Sequence, residues 1–216
     1  MKLAFIGGTG NLGFGLALRC ALAGYPVVIG SRELVKAQEA VERLTKEAGE
    51  NTIQVYAKQN VDAAAEADIV VLSLPYQAHE AVLPTLREAC AGKIVLDTTV
   101  PMQFGKPPVY IGTPVGAAAQ QVQQILSQAH VLSGFHTIPA ASLADLNRVL
   151  ECHGLLCGDS TEDKNTIIHI FSAFIPRVID IGGLDMAQSL ERLTPLIVAI
   201  NQRYKRRHVG IKLTNI

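Results

Sequence analysis

The sequence predicts a doubly wound α/β fold of the Rossmann type, with a mainly parallel sheet. Three observations predict it. The chain opens with a short apolar run, Lys2-Leu3-Ala4-Phe5-Ile6, a glycine loop from Gly7 to Gly13, and an apolar helical stretch. Short apolar runs then alternate with helical segments to the end of the chain, the pattern of repeated βαβ units. Three of these runs end in Leu74-Pro75, Val100-Pro101 and His136 to Ala140. In an open α/β sheet the ligand crevice lies outside the carboxyl ends of the strands, so the three endings converge on one place.

Each element follows from local chemistry. Lys2 to Ile6 is short, apolar and bounded by glycine, which suits a buried parallel strand. Gly8, Gly10 and Gly13 then give G-x-G-x-x-G between a strand and a helix, the context that gives the motif meaning. Gly8 is expected at the tight turn, Gly10 where backbone approaches a pyrophosphate, and Gly13 where helix meets strand. Asn11 to Gly24 is the first helix, its N-terminus free to meet phosphate. Pro26 to Gly30 is the second strand, and Glu33 to Ala48 a helix stopped by Gly49. Thr52 to Tyr56 alternates and reads as a third strand. Asn60 to Ala67 reads as an alanine-rich helix capped by Asn60.

Asp68 to Leu74 is the strongest strand after the first, ended by Pro75, with a helix from Tyr76 to Ala89. Lys93 to Thr98 is a fifth strand. Residues 101 to 116 hold four prolines and three glycines and read as a long loop. A glutamine-rich helix, Ala117 to Ala129, leads to a strand from His130 to Phe135. The remainder reads as a strand (Gly154 to Cys157), a helix (Thr161 to Phe174), a strand (Arg177 to Ile181) and a helix from Leu184 to Tyr204 interrupted near Pro195. The expected division is a Rossmann domain over residues 1–150 and a small C-terminal α/β unit over residues 151–216 that covers the crevice.

The end of the second strand selects the cofactor. An NAD site places Asp or Glu there for the ribose 2′-OH. This chain has Gly30-Ser31-Arg32. Arg32 can grip a 2′-phosphate bidentately and Ser31 can donate to it. Lys36 lies four residues on, on the same helix face. Glu33 dissents, but a carboxylate suits the first turn of a helix. The reading favours NADP over NAD.

Composition bounds the rest. The 216 residues are 49% hydrophobic and 18% charged, enough for a sizeable core. Nineteen basic and nineteen acidic residues cancel, which argues against a general nucleic-acid or acidic-membrane binder. Cys20, Cys90, Cys152 and Cys157 have no zinc-site spacing and read as reduced thiols in a cytoplasmic protein. No metal site is expected. No signal peptide and no membrane span are expected either.

Together these residues resemble the coenzyme F420-dependent NADP oxidoreductases. The matching stretches are Gly7 to Gly13, Gly30-Ser31-Arg32, His136-Thr137-Ile138-Pro139-Ala140, Leu193-Thr194-Pro195-Leu196 after Glu191, and Gly210-Ile211-Lys212. The resemblance spans the chain. It implies hydride transfer between NADP(H) and the 5-deazaflavin coenzyme F420, in a homodimer. It implies NADP contacts at Thr9, Gly10, Asn11 and Leu12 for the pyrophosphate, and at Ser31, Arg32 and Lys36 for the 2′-phosphate. Leu74, Pro75, Val100 and Ala140 would line the nicotinamide side. The deazaflavin would lie near His136, Thr137, Ile138, Pro139 and Val209. Such chemistry needs two rings held with reacting carbons roughly 3–3.5 Å apart, and neither a nucleophile nor a metal.

His136 is then the one candidate for a part in the chemistry, bonding the deazaflavin ring as charge builds there. Its alternative is a structural histidine at a strand end. His79 reads as a surface or subunit contact. The segment Arg203-Tyr204-Lys205-Arg206-Arg207-His208 departs from the family in being so basic. It reads either as a binding site for the acidic tail of the deazaflavin or as a solvated helix end. Residues 101 to 116 also look unlike the family. Two other readings stand beside the first: an NADPH-dependent reductase of a flavin, quinone, metal chelate or imine, and a non-enzymatic NADP-sensing dimer.

Overall fold

The computed structural model describes residues 1–51 and 53–216. The opening βαβ unit is β1 (Leu3–Ile6), α1 (Asn11–Leu22) and β2 (Val27–Ser31). Next come α2 (Leu34–Ala48), β3 (Val55–Gln59), α3 (Asn60–Glu66) and β4 (Ile69–Leu72). After α4 (His79–Val82) and α5 (Arg87–Cys90) lies β5 (Ile94–Asp97). A small hairpin, β6 (Met102–Gln103) and β7 (Val109–Tyr110), precedes α6 (Ala118–Ile125) and β8 (His130–Gly134). The chain closes with α7 (Ala140–Ala144), β9 (Gly154–Gly158), α8 (Thr161–Phe171), β10 (Val178–Asp180), α9 (Ala187–Glu191) and α10 (Leu193–Tyr204).

Eight strands form one sheet in the order β10-β9-β8-β5-β4-β1-β2-β3. All neighbours run parallel except β8 and β9. The predicted doubly wound, mainly parallel class is what is found. Residues alternate between two cores. Leu3, Phe5, Val27, Ile29, Ile69 and Val71 pack under α1 and α2, while Ala4, Ile6, Val28, Val70 and Leu72 pack under α3 and its neighbours. A sheet covered on both faces needs apolar side chains at every position, which is why β1 and β4 read as unbroken apolar runs.

Several expectations are corrected. The third strand is Val55–Gln59, three residues later than predicted, and its expected first residue, Thr52, lies outside the described residues. Register decides this: Val27 pairs with Val55 and Ser31 with Gln59, at a sheet edge where Lys58 and Gln59 keep contact with water. Asn60 does not cap α3. Gln59 occupies that position, and the Asn60 side chain is buried beside Gly30. The helix expected from Tyr76 to Ala89 is four short pieces; Pro84, with no N–H for the carbonyl four residues back, accounts for the break after Val82. Pro195 breaks the last helix in the same way, at Arg192. The loop from 101 to 116 contains the β6–β7 hairpin.

The antiparallel β8–β9 step is anchored around Phe135. Phe135 follows β8 with φ +66, a left-handed conformation that a bulky residue adopts only when its surroundings over-determine it. Its ring is fully buried against Phe171, 4.5 Å between centroids. Its N–H donates to the Leu155 carbonyl at 3.0 Å. A Cβ on Gly154 would come within 2.8 Å of the same ring, so β9 begins on glycine. The turn throws His136 and Thr137 off the end of β8 and under α10.

Candidate functional site

A cleft of about 510 Å³ runs along the carboxyl ends of β1, β2, β4 and β5. Thr9, Gly10, Asn11 and Leu12 line it after β1, and Ser31, Arg32, Glu33 and Lys36 after β2. Ser73, Leu74, Pro75 and Tyr76 follow β4, and Thr98, Thr99 and Val100 follow β5. Met102 and Phe104 of the hairpin close one side.

The glycine loop is shaped by what a side chain would strike. The left-handed turn falls on Gly7, at φ +79, rather than on Gly8. A Cβ on Gly13 would sit 2.9 Å from the Ser73 Cβ and 3.0 Å from the Gly8 Cα, which clamps α1 against the loop. A Cβ on Gly10 would meet only the Gly7 carbonyl, at 3.5 Å, so its space opens into the cleft. Among the described residues no side chain caps α1, leaving its first N–H groups to face that space. These features fit a dinucleotide pyrophosphate.

At the far end of the cleft Arg32 is exposed, and the Ser31 Oγ accepts the Glu33 N–H at 3.3 Å. Glu33, the dissenting carboxylate, lines the same cleft and is paired. Lys36 Nζ donates to its Oε1 at 2.6 Å, and that hydrogen bond with the Lys36 charge holds the Glu33 carboxyl below the usual range. Arg32, in no ion pair among the described residues, and the Ser31 hydroxyl, beside a carboxylate already neutralised by Lys36, fit a 2′-phosphate.

The other expected residues lie elsewhere. Gly8 and Gly13 are buried beneath the loop. His136, Thr137 and Ile138 are buried, and Pro139, Ala140 and Val209 partly so; none of these six lines the cleft. They do form one group. A Cβ on Gly210, next to Val209, would lie 3.2 Å from the Pro139 Cδ, and Thr194 Oγ1 donates to the His136 carbonyl at 3.1 Å. This group abuts the cleft wall at Thr99, whose backbone partly offsets the effect of burial on His136. Burial is the larger cause and lowers His136 to about 4, so the ring is neutral at physiological pH.

Three buried polar groups behind this wall were not anticipated. His79, read from sequence as a surface residue, is 1% exposed, and its Nε2 lies 3.0 Å from Thr99 Oγ1. Burial lowers it to about 4. The signal was present: His79 shares helical spacing with buried Val82, Leu83 and Leu86. Asp97 closes β5, is wholly buried, and accepts the Thr99 N–H at 3.1 Å. Desolvation raises it to about 8. Glu191 accepts from Tyr110 Oη at 2.9 Å and from the N–H groups of Ala118 and Ala119 at 3.1 and 3.3 Å. It thereby caps α6 from another helix and ties down the hairpin. Desolvation raises it to about 7. No local sequence pattern connects Glu191 to residues 110 and 118.

Fold and cleft together define a dinucleotide-binding protein of the Rossmann class. Residues 2–101 match the family model described as NADP oxidoreductase, coenzyme F420-dependent. The chain is 37% identical to the F420-dependent NADP reductase of Methanocaldococcus jannaschii, covering all of this chain and 99% of that protein. It is 36% identical to the enzyme of the same name from Methanothermobacter thermautotrophicus, over all of this chain and 96% of the other. A crystal structure from Arthrobacter sp. FB24, provisionally assigned as an F420-dependent NADP reductase, superposes with a TM-score of 0.84 over the whole of both chains at 24% identity. This chain belongs to the F420-dependent NADP oxidoreductase family. Among the described residues no helix is long and apolar enough to cross a membrane.

Proposed function

We propose that this chain catalyses hydride transfer between NADP(H) and coenzyme F420. Full-length kinship to two F420-dependent NADP reductases carries the reading. The cleft supports its NADP half through Ser31, Arg32 and Lys36 at one end and the open backbone at Gly10. Bound together, the two cofactors supply the redox chemistry, and the protein's part is position and electrostatics.

In this reading Thr9, Gly10, Asn11 and Leu12 hold the pyrophosphate, while Arg32, Ser31 and Lys36 hold the 2′-phosphate. Leu74, Pro75 and Val100, with Ala140 beyond them, flank the nicotinamide. His136, Thr137, Ile138, Pro139 and Val209 shape the deazaflavin side. A neutral His136 suits a hydrogen-bonding role better than a charged one, since a buried cation would need a partner. Residues 151–216 act as the cover of this end, a role supported by the Thr194 bond to the His136 carbonyl. A homodimer and a cytoplasmic location belong to the same proposal; Leu196 and Tyr204, 55% and 65% exposed on α10, support a subunit contact.

The test is NADPH oxidation with purified F420, with FMN and FAD as controls. Transfer to F420 alone is expected. Tight NADPH binding without such transfer, or equal transfer to FMN, overturns the reading of the acceptor.

A further inference from the structure

We propose that the basic segment after α10 is a subsite for the anionic extension of the acceptor, a phosphodiester continued by carboxylates. The inference rests on the deazaflavin reading of the preceding subsection.

Arg203, Lys205, Arg206, Arg207 and His208 are all exposed. Four cations in five positions are a local excess in a chain whose charges cancel overall. Among the described residues none of Arg203, Lys205, Arg206 and Arg207 enters an ion pair. The helix dipole accounts for one of them. Arg203 is in the last turn of α10, Lys205 at φ +50 ends the helix, and Arg206 and Arg207 follow it, so more cations gather here than one helix end calls for.

The segment is held in place rather than trailing. The Arg206 N–H donates to the Asn201 carbonyl at 2.9 Å, and His208 Nδ1 lies 2.9 Å from Ser142 Oγ. Its position joins the two halves of the site. On one side Gln202 Nε2 donates to the Gly105 carbonyl at 2.9 Å, between cleft-lining Phe104 and exposed Lys106. On the other, a cavity of about 280 Å³ carries Arg148, His208 and Lys212 on its wall, with Pro139 beside them, Arg148 paired with Asp145 at 3.9 Å and Glu151 on the same wall. A cationic rim therefore extends from the hairpin, along the helix end, to the wall behind Pro139. Guanidinium forks suit both phosphate and carboxylate oxygens. A ligand whose ring lay near Pro139 and Val209 would lead its acidic extension across them.

The experiment compares F420 with the tail-free 5-deazariboflavin chromophore in wild type and in the double variant Arg206→Ser, Arg207→Ser, with melting temperature as the folding control. The variant is expected to raise the KM for F420 about tenfold at low salt, by loss of charge-assisted contacts. It should leave kcat, the KM for NADPH and the KM for the tail-free chromophore unchanged. Added potassium chloride should erase the wild-type preference for F420. Equal shifts for both acceptors, or none for either, overturn the subsite. Turnover of both acceptors by wild type with one common KM overturns it while leaving the functional reading intact. Turnover of neither removes both.

Discussion

The two ends of the site handle charge in opposite ways. At the β2 end, Arg32 and the Lys36–Glu33 pair stand in water, and the backbone opens at Gly10. At the β5–β8 end, His79, Asp97, His136 and Thr137 are buried behind the cleft wall, and burial drives the ionisable ones toward neutrality. An anionic group is met best by exposed cations that need not be desolvated beforehand. A pair of reacting rings is held best by a dry, neutral surface. In the proposed reading, one end therefore supplies affinity and the other supplies geometry.

The largest expected effect breaks the charged end. Arg32→Glu should raise the KM for NADPH about 100-fold by removing a charge pair and adding repulsion, while NADH improves relative to NADPH. Steady-state kinetics with both nucleotides checks it, and equal change for both would remove the 2′-phosphate role. The next sharpens the glycine contrast. Gly13→Ala should cost about 2 kcal/mol of stability by forcing a methyl against Ser73 and Gly8. Gly10→Ala should leave the melting temperature nearly unchanged yet weaken NADPH binding. Denaturant melts beside nucleotide titrations separate the two.

The third prediction concerns the buried end. Asp97 has an ordinary value of 3.8 and is raised to about 8 when folded. Between those values the folded chain keeps a proton that the unfolded chain has lost, so this group makes stability fall as pH rises through the window. Asp97→Asn keeps an oxygen for the Thr99 N–H and removes the titration. Its melting temperature should decline less than wild type from about pH 4 to about pH 8, with the variant the more stable of the two at the upper end. The smallest effect is Thr99→Val, which leaves the His79 Nε2 buried without its partner and should cost about 1–2 kcal/mol.

Sequence reasoning reached most of the charged end because its logic is local. Gly7 to Gly13 and Ser31 to Lys36 each act within one turn, and what they need is stated by their own neighbours. Element positions were legible where a strand is buried on both faces, as in β1 and β4. They slipped at the edge: β3 is set by pairing with β2, so its ends belong to the partner's register and not to its own pattern. The buried end was legible as a motif, His136 to Ala140, but not as an environment. Whether that histidine is neutral depends on Thr99 and on the helix that closes over it, 58 residues away at Thr194.

The chain's own residues, read in order, settle the βαβ opening, the uncapped helix behind Gly10, the missing acid at the end of β2 and hence the class of fold. Each follows from short-range sterics and charge, which adjacent residues carry with them. Folding in three dimensions settled that His79 and Asp97 are interior, that Glu191 caps a helix it does not belong to, and that β9 reverses direction beside β8. These depend on desolvation and on contacts across tens of residues, and such quantities exist only once distant parts of the chain exclude water from the same space.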